Sequence, residues 1–296
     1  MFQIEQQVHS DTTVKPLVKS SAKSLAKSSL PTMYDLPSED PEEPGLPDEY
    51  HYDQPPLLSH TFRPPNYAPE RVFHVGDMNL YYDVEHPLWH KRPDWFGVVG
   101  VPRFYDRTQL RLSYVMWQEE VSPFVIVELL SPGTEKDDLG ETESSIEAPP
   151  TKWEVYEQIL QVPYYVTFSR YTDKLQVFAL QDGRYRELDL IESRVWMPEI
   201  QLGIGLWQGE HHGRDRLWLR WFDIEGNWVP TEAEAAQQRA DIAQQRADMA
   251  QQRADMAQQQ AEAAQQQAET ERQRAETERQ RAESLAQRLR ELGVEL

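Results

Sequence analysis

Between about residue 71 and residue 230 short apolar runs alternate with turn residues, the pattern of a chain built from strands. Residues 78–84, 94–101 and 109–117 read as strands. Residues 124–131 (FVIVELLS) form an apolar run of strand length, of the kind buried on both faces of a sheet, broken by the single carboxylate of Glu128. Residues 164–169, 174–180 and 184–191 continue the series, the last two joined by an Asp182-Gly183 hairpin signal. The aromatic-rich stretch 195–230, where Trp218 and Trp221 flank Arg220, completes the β structure. One helix has a readable start: Thr151-Lys152-Trp153-Glu154 has capping-box spacing, Trp153, Tyr156 and Leu160 follow at helical intervals, and Pro163 ends it.

From Ala236 onward the period changes to seven. Alanine recurs at 240, 247, 254, 261, 268, 275 and 282, and again at 243, 250, 257 and 264, the three/four spacing of a coiled-coil seam in a strongly helix-forming composition. A helix over 232–292 is on the order of 90 Å long. Alanine buries little area per layer, so the tail is expected to join copies of the chain into a homo-oligomer weakly, with most apolar surface near Leu285, Leu289 and Leu292. At the other end, residues 1–30 are Ser- and Lys-rich, with Lys15, Lys19, Lys23 and Lys27 four apart, and read as a disordered arm. Residues 31–62 are rich in Pro and acids and read as an extended lead-in. The expected organisation is therefore a lead-in over 1–62, a folded domain over 63–230 and a heptad-repeat helix over 231–296.

Charge narrows the function classes. The formal charge is −20, and the segment 63–231 alone carries seventeen bases against 27 acids, so the basic footprint of a dedicated nucleic-acid binder is missing. A nucleic-acid substrate needs a local basic patch or bound cations. The absence of cysteine removes disulfides and thiolate zinc sites and suits a reducing compartment, giving a cytoplasmic expectation. No apolar run approaches the roughly 20 residues of a membrane helix, so no membrane partner is expected.

The chemistry starts from Glu128. An unpaired ionised carboxylate inside an apolar strand costs several kcal/mol, so it calls for a bound cation, a basic side chain such as Arg103 or Arg111, or an edge position. Pro93-Asp94 opens one strand, Glu128 lies within another, and Lys152 begins the helix that follows. If those strands are neighbours, two carboxylates meet an ammonium, and two carboxylates with room for water suit Mg²⁺ or Mn²⁺. Asp137 and Asp138 read as solvated loop acids and His211-His212 as a surface pair. There is no G-x-S-x-G, no phosphate-cradling Gly loop and no H-E-x-x-H.

At these residues a resemblance emerges. Pro93-Asp94, then Val127-Glu128-Leu129-Leu130-Ser131-Pro132, then Lys152-Trp153-Glu154-Val155-Tyr156-Glu157 with Val162-Pro163-Tyr164-Tyr165, resemble the restriction endonuclease family abundant in cyanobacteria, within the PD-(D/E)XK nuclease superfamily. The similarity covers roughly 70–225. It implies an α/β restriction-endonuclease-like core, a mixed sheet flanked by helices, ahead of the long C-terminal coiled-coil helix. It further implies Asp94 and Glu128 as metal ligands, Lys152 as the third catalytic residue and phosphodiester hydrolysis in nucleic acid, DNA before RNA. The lysine that the superfamily places two residues after the glutamate is Leu130 here, and Lys152 takes its part. That departure, with the acidic charge, motivates an alternative: a catalytically degenerate nuclease fold serving as a coiled-coil interaction or scaffold protein.

Overall fold

The computed structural model describes residues 48–106, 108–133, 135–141 and 149–291. The Lys-rich arm and most of the acidic lead-in lie outside these residues, and from Tyr50 onward the chain forms one compact unit. In chain order the elements are α1 (Glu49–Thr61), β1 (Val72–Gly76), β2 (Leu80–Tyr81), β3 (His90–Lys91), β4 (Trp95–Val99), β5 (Tyr114–Val115), α2 (Met116–Glu119), β6 (Val125–Leu129) and α3 (Glu135–Asp138). They continue with α4 (Lys152–Glu154) and the π-helical turn Val155–Ile159 fused to it, β7 (Tyr164–Ser169), β8 (Lys174–Gln181), β9 (Arg184–Glu187), β10 (Arg194–Met197), β11 (Leu202–His211), β12 (Arg214–Phe222) and α5 (Glu232–Glu291).

The apolar run containing Glu128 becomes β6, and all five of its residues are buried. It lies inside a six-stranded sheet of order β1-β4-β6-β7-β8-β9. Only the β6–β7 pair is parallel within that sheet, so the architecture is mixed, as the resemblance implies. Alternate residues of the strands feed two cores. On one face Val125, Val127 and Leu129 join Trp95, Val166 and Phe168, packed against Leu57, Leu58 and Phe62 of the α1 region and Trp218 and Trp221 of β12. On the other, Ile126, Phe96 and Tyr165 pack with Val155, Tyr156 and Leu160, and with Leu80 and Tyr114 of the small β3-β2-β5 sheet. Because both faces are covered, β6 lacks polar alternation.

A parallel pair cannot be closed by a hairpin and needs a crossover. Here the crossover from β6 to β7 carries α3 and α4. The expected capping box is present: the Thr151 hydroxyl accepts the Glu154 N–H, and the Glu154 carboxylate accepts the Thr151 N–H. The hairpin signal also holds, since Asp182 and Gly183 both take positive φ (52° and 76°) between β8 and β9, the requirement of a type I′ turn.

Three local expectations differ. Residues 49–61, within the stretch read as extended for its Pro and acid content, form α1, with Pro55 and Pro56 inside it. Proline inside a helix costs about 3 kcal/mol, and here Tyr50, Leu57 and Leu58 are buried while the Gln54 amide brackets Leu219, donating to its carbonyl and accepting its N–H, both at 2.8 Å. In 78–84 only Leu80 and Tyr81 pair as a strand, and Val72–Gly76 supplies the edge strand β1. In 109–117 only Tyr114 and Val115 pair, and α2 follows.

Helix α5 starts with a second capping box, Thr231 and Glu234 exchanging bonds of 2.7 and 3.2 Å. Arg220, flanked by the buried Trp218 and Trp221, pairs with the Glu234 carboxylate and so ties the first turn of α5 to β12. None of the sixty residues of α5 is buried.

His74 of β1 packs between Phe62 and Trp95, and its Nδ1 is buried with no hydrogen-bond partner. Burial first, then the charges of Arg103, His60 and Arg63, push its imidazole down to about 4. A histidine whose folded value is depressed contributes stability present above its unfolded value, near 6.5, that is lost as pH falls toward 4. Denaturant unfolding across that interval is expected to show His74→Gln losing less stability than the wild type. Parallel curves would contradict the assignment.

Candidate active site

The β4–β6 register pairs Trp95 with Val127. Continuing it by one residue sets Asp94 opposite Glu128 on the same face, so the strand pairing itself brings the two expected carboxylates together. The Asp94 N–H donates to Glu128 Oε2 at 3.3 Å, and the Leu129 N–H donates to Asp94 Oδ2 at 2.6 Å. The crossover adds the third expected residue: Lys152 Nζ lies 3.1 Å from Glu128 Oε2. All three sequence-predicted site residues therefore meet at one place.

Sequence reasoning missed four neighbours. Asp138, read as solvated, is 1% exposed, and its Oδ1 lies 2.7 Å from Lys152 Nζ. It is buried where α3 packs against α4, and Tyr165 of β7 donates to the Asp138 carbonyl at 2.8 Å. Tyr156 donates its hydroxyl to Glu128 Oε1 at 2.9 Å. The signal for it was present, since Tyr156 follows Lys152 by four residues and shares its helix face. His51 of α1 is buried and bonds the Leu129 carbonyl through Nε2 at 2.8 Å; it falls in the stretch read as lead-in. Lys91 of β3 feels the charges of Asp137, Lys152 and Glu128, and burial holds its ammonium below the usual lysine range.

The basic partner of Glu128 is thus Lys152. Arg111 instead pairs with Glu119 at 2.7 Å, and Arg103 lies against His74. His212, of the expected surface pair, bonds Asp53 Oδ1 at 2.8 Å.

Three carboxylates around one ammonium set the electrostatics. Burial drives the Glu128 carboxyl well above the ordinary range; Lys152 opposes that shift, and Asp138 and Asp94 add to it. Asp94 is also raised, by burial first, with Lys152 and His51 opposing. Burial acts to lower the Lys152 ammonium, but Glu128, Asp138 and Asp94 outweigh it, so the amine stays charged far above neutral pH.

The donors available to a cation are oxygens. The hydroxyl of Thr167, beside Glu128 in the parallel register, is buried without a hydrogen-bond partner. Among the described residues no three His, Cys, Asp or Glu side chains are arranged to hold a metal ion. Two carboxylates that leave most positions to water suit the coordination habit of Mg²⁺.

Residues 31–209 match the family described as "Uma2: Putative restriction endonuclease". The chain belongs to this family. The Uma2 match spans every residue of the cluster, His51 through Thr167. Residues 227–289 match a second description, "Alanine-zipper, major outer membrane lipoprotein", which coincides with α5. No curated protein matches the chain. Among the described residues no helix is long and apolar enough to cross a membrane.

Removing one partner of a buried ion pair leaves the other uncompensated, at a cost of about 3–5 kcal/mol. Lys152→Met is expected to lose that order of stability, because Glu128 and Asp138 remain buried. Glu128→Gln removes a costly buried charge and is expected to unfold at or above the wild-type temperature. Calorimetric melts of both variants check the pair, and a strongly destabilised Glu128→Gln would contradict it.

Proposed function

We propose that the chain is a divalent-cation-dependent nuclease in which Asp94 and Glu128 hold Mg²⁺ or Mn²⁺, and that it hydrolyses phosphodiester bonds, with DNA the expected substrate. The observation that carries this reading is the convergence of Asp94, Glu128 and Lys152 at one end of the β4–β6 pair in a member of the Uma2 family. A bound divalent ion supplies Lewis-acid chemistry, making a water more acidic and offsetting charge on a phosphoryl oxygen.

The remaining steps belong to the chain. Lys152, charged at neutral pH, is a fixed positive group and not a proton acceptor, so its part is to stabilise negative charge on the scissile phosphate. Asp138 anchors the ammonium from the far side, and Tyr156 holds the second Glu128 oxygen, which together fix the glutamate's orientation. His51 and Asp94 bind the two ends of the Leu129 peptide and hold that turn of backbone beside the site.

One observation favours a second reading, a non-catalytic interaction protein. Both oxygens of Glu128 already have partners inside the protein, which is what a purely structural ion cluster requires. Mn²⁺ titration and DNA cleavage by wild type, Asp94→Ala and Glu128→Ala separate the two. The nuclease reading expects Mn²⁺ binding and Mg²⁺-dependent cleavage in the wild type, with both lost in each variant. Absence of metal binding in the wild type would refute it.

For α5 we propose self-association through the alanine seam. The alanines at three/four spacing form one stripe, none of α5 is buried by the rest of the described chain, and residues 227–289 match the alanine-zipper description, which leaves that stripe for a second copy. Sedimentation equilibrium is expected to give an oligomer for the full chain and a monomer for a chain ending at Pro230. Equal stoichiometry would remove this role.

A further inference from the structure

A cavity of about 440 Å³ lies on the face of the sheet opposite Glu128, where His74 packs on Trp95. Four basic side chains converge on it: His60 in the last turn of α1, Arg63 just after it, His74 on β1 and Arg103 beyond β4. The two arginines are charged at neutral pH and His74 is neutral, and in a chain of formal charge −20 a cavity walled by two guanidinium groups and two imidazoles is unexpected. The acids on these walls are Glu232 in this cavity and Glu70 and Asp106 in the adjoining one that shares Arg103. Arg63 reaches Glu232 only at 3.8 Å, with both side chains largely exposed. Arg103 donates from Nη1 to His74 Nε2 at 3.4 Å, so its nearest partner there is another base. The His74 imidazole is depressed by burial first, with Arg103, His60 and Arg63 adding to it.

Like charges brought together around a cavity repel one another unless an anion joins them. Arginine's planar fork matches phosphate oxygens. The apolar part of the wall is aromatic, Phe62 and Tyr67. An adjoining cavity of about 570 Å³ shares Arg103 and is lined by Phe104 and Tyr105, which are 41% and 50% exposed. Exposed rings beside a basic pocket are the elements that hold a nucleobase next to its phosphate.

We propose that this cavity binds a nucleotide unit, its phosphate on Arg63 and Arg103 with His60 as a further donor, and its base against an adjoining aromatic ring. The unit comes either from a free mononucleotide or from one residue of a single strand; the recognition chemistry is the same. The assignment does not depend on Asp94 or Glu128 holding a cation.

The test is calorimetric titration of the full-length protein in EDTA, at one fixed salt concentration, with adenosine 5′-monophosphate and with a short single-stranded oligothymidylate. Binding is expected in the wild type, with competition by inorganic phosphate. Arg63→Ala and Arg103→Gln should each weaken it by about tenfold, the scale of one lost charge-assisted hydrogen bond. Both arginines are exposed, and unchanged thermal melts will show that the variants fold. Glu128→Gln should bind as the wild type does, which separates this site from the proposed metal site. An oligonucleotide bound more tightly than the mononucleotide identifies the strand as the source; equal or weaker binding identifies the free nucleotide. No heat from either probe, or undiminished binding in both arginine variants, overturns the proposal.

Discussion

Lys152 reaches between Glu128 and Asp138, at 3.1 and 2.7 Å, and on that contact the burial of the whole β6 strand depends. A fully enclosed glutamate in a central strand is tolerated only because an ammonium and a phenol meet its two oxygens. The arrangement requires the parallel β6–β7 pair, since only its crossover can carry a lysine back over the strand that has just ended. Topology and electrostatics are here one constraint: without the crossover Glu128 has no cation, and without the cation β6 could not be apolar on both faces.

Such a cluster is a poor way to stabilise a fold. Three carboxylates share one fully charged amine, and two of them are held above their ordinary range chiefly by burial. A pair of hydrophobic side chains of similar volume would serve stability as well or better. Shifted carboxylates gathered around one lysine are the arrangement the proposed chemistry needs, and they concentrate where β4, β6 and the crossover meet. The π-helical turn at Val155–Ile159 fits the same view, because it lies directly behind Lys152 and carries Tyr156.

Much of this was legible in the sequence. The lone acid in an apolar run, the proline before Asp94 and the Thr151 capping box marked all three converging residues, and the hairpin at Asp182-Gly183 and the heptad helix followed from local rules. What escaped had physical causes. Asp138 belongs to a loop whose composition is that of solvated chain, and it is buried by contacts of α3 with α4 and with Tyr165 of β7. Helix α1 was hidden by Pro55 and Pro56, whose local cost is offset by contacts with residues about 165 positions away. The basic cavity was equally hidden: His60, Arg63, His74 and Arg103 are scattered in sequence and meet only when β1 closes the sheet edge against α1.

The central claim is that the buried carboxylates are arranged for a divalent ion. A crystal of the protein soaked in Mn²⁺ and measured at the manganese absorption edge tests it most directly. The account predicts one anomalous peak within bonding distance of Asp94 and Glu128 oxygens, about 2.0–2.2 Å for a hard cation of this size. A peak elsewhere, or none with Lys152 still closed on Glu128, would contradict it.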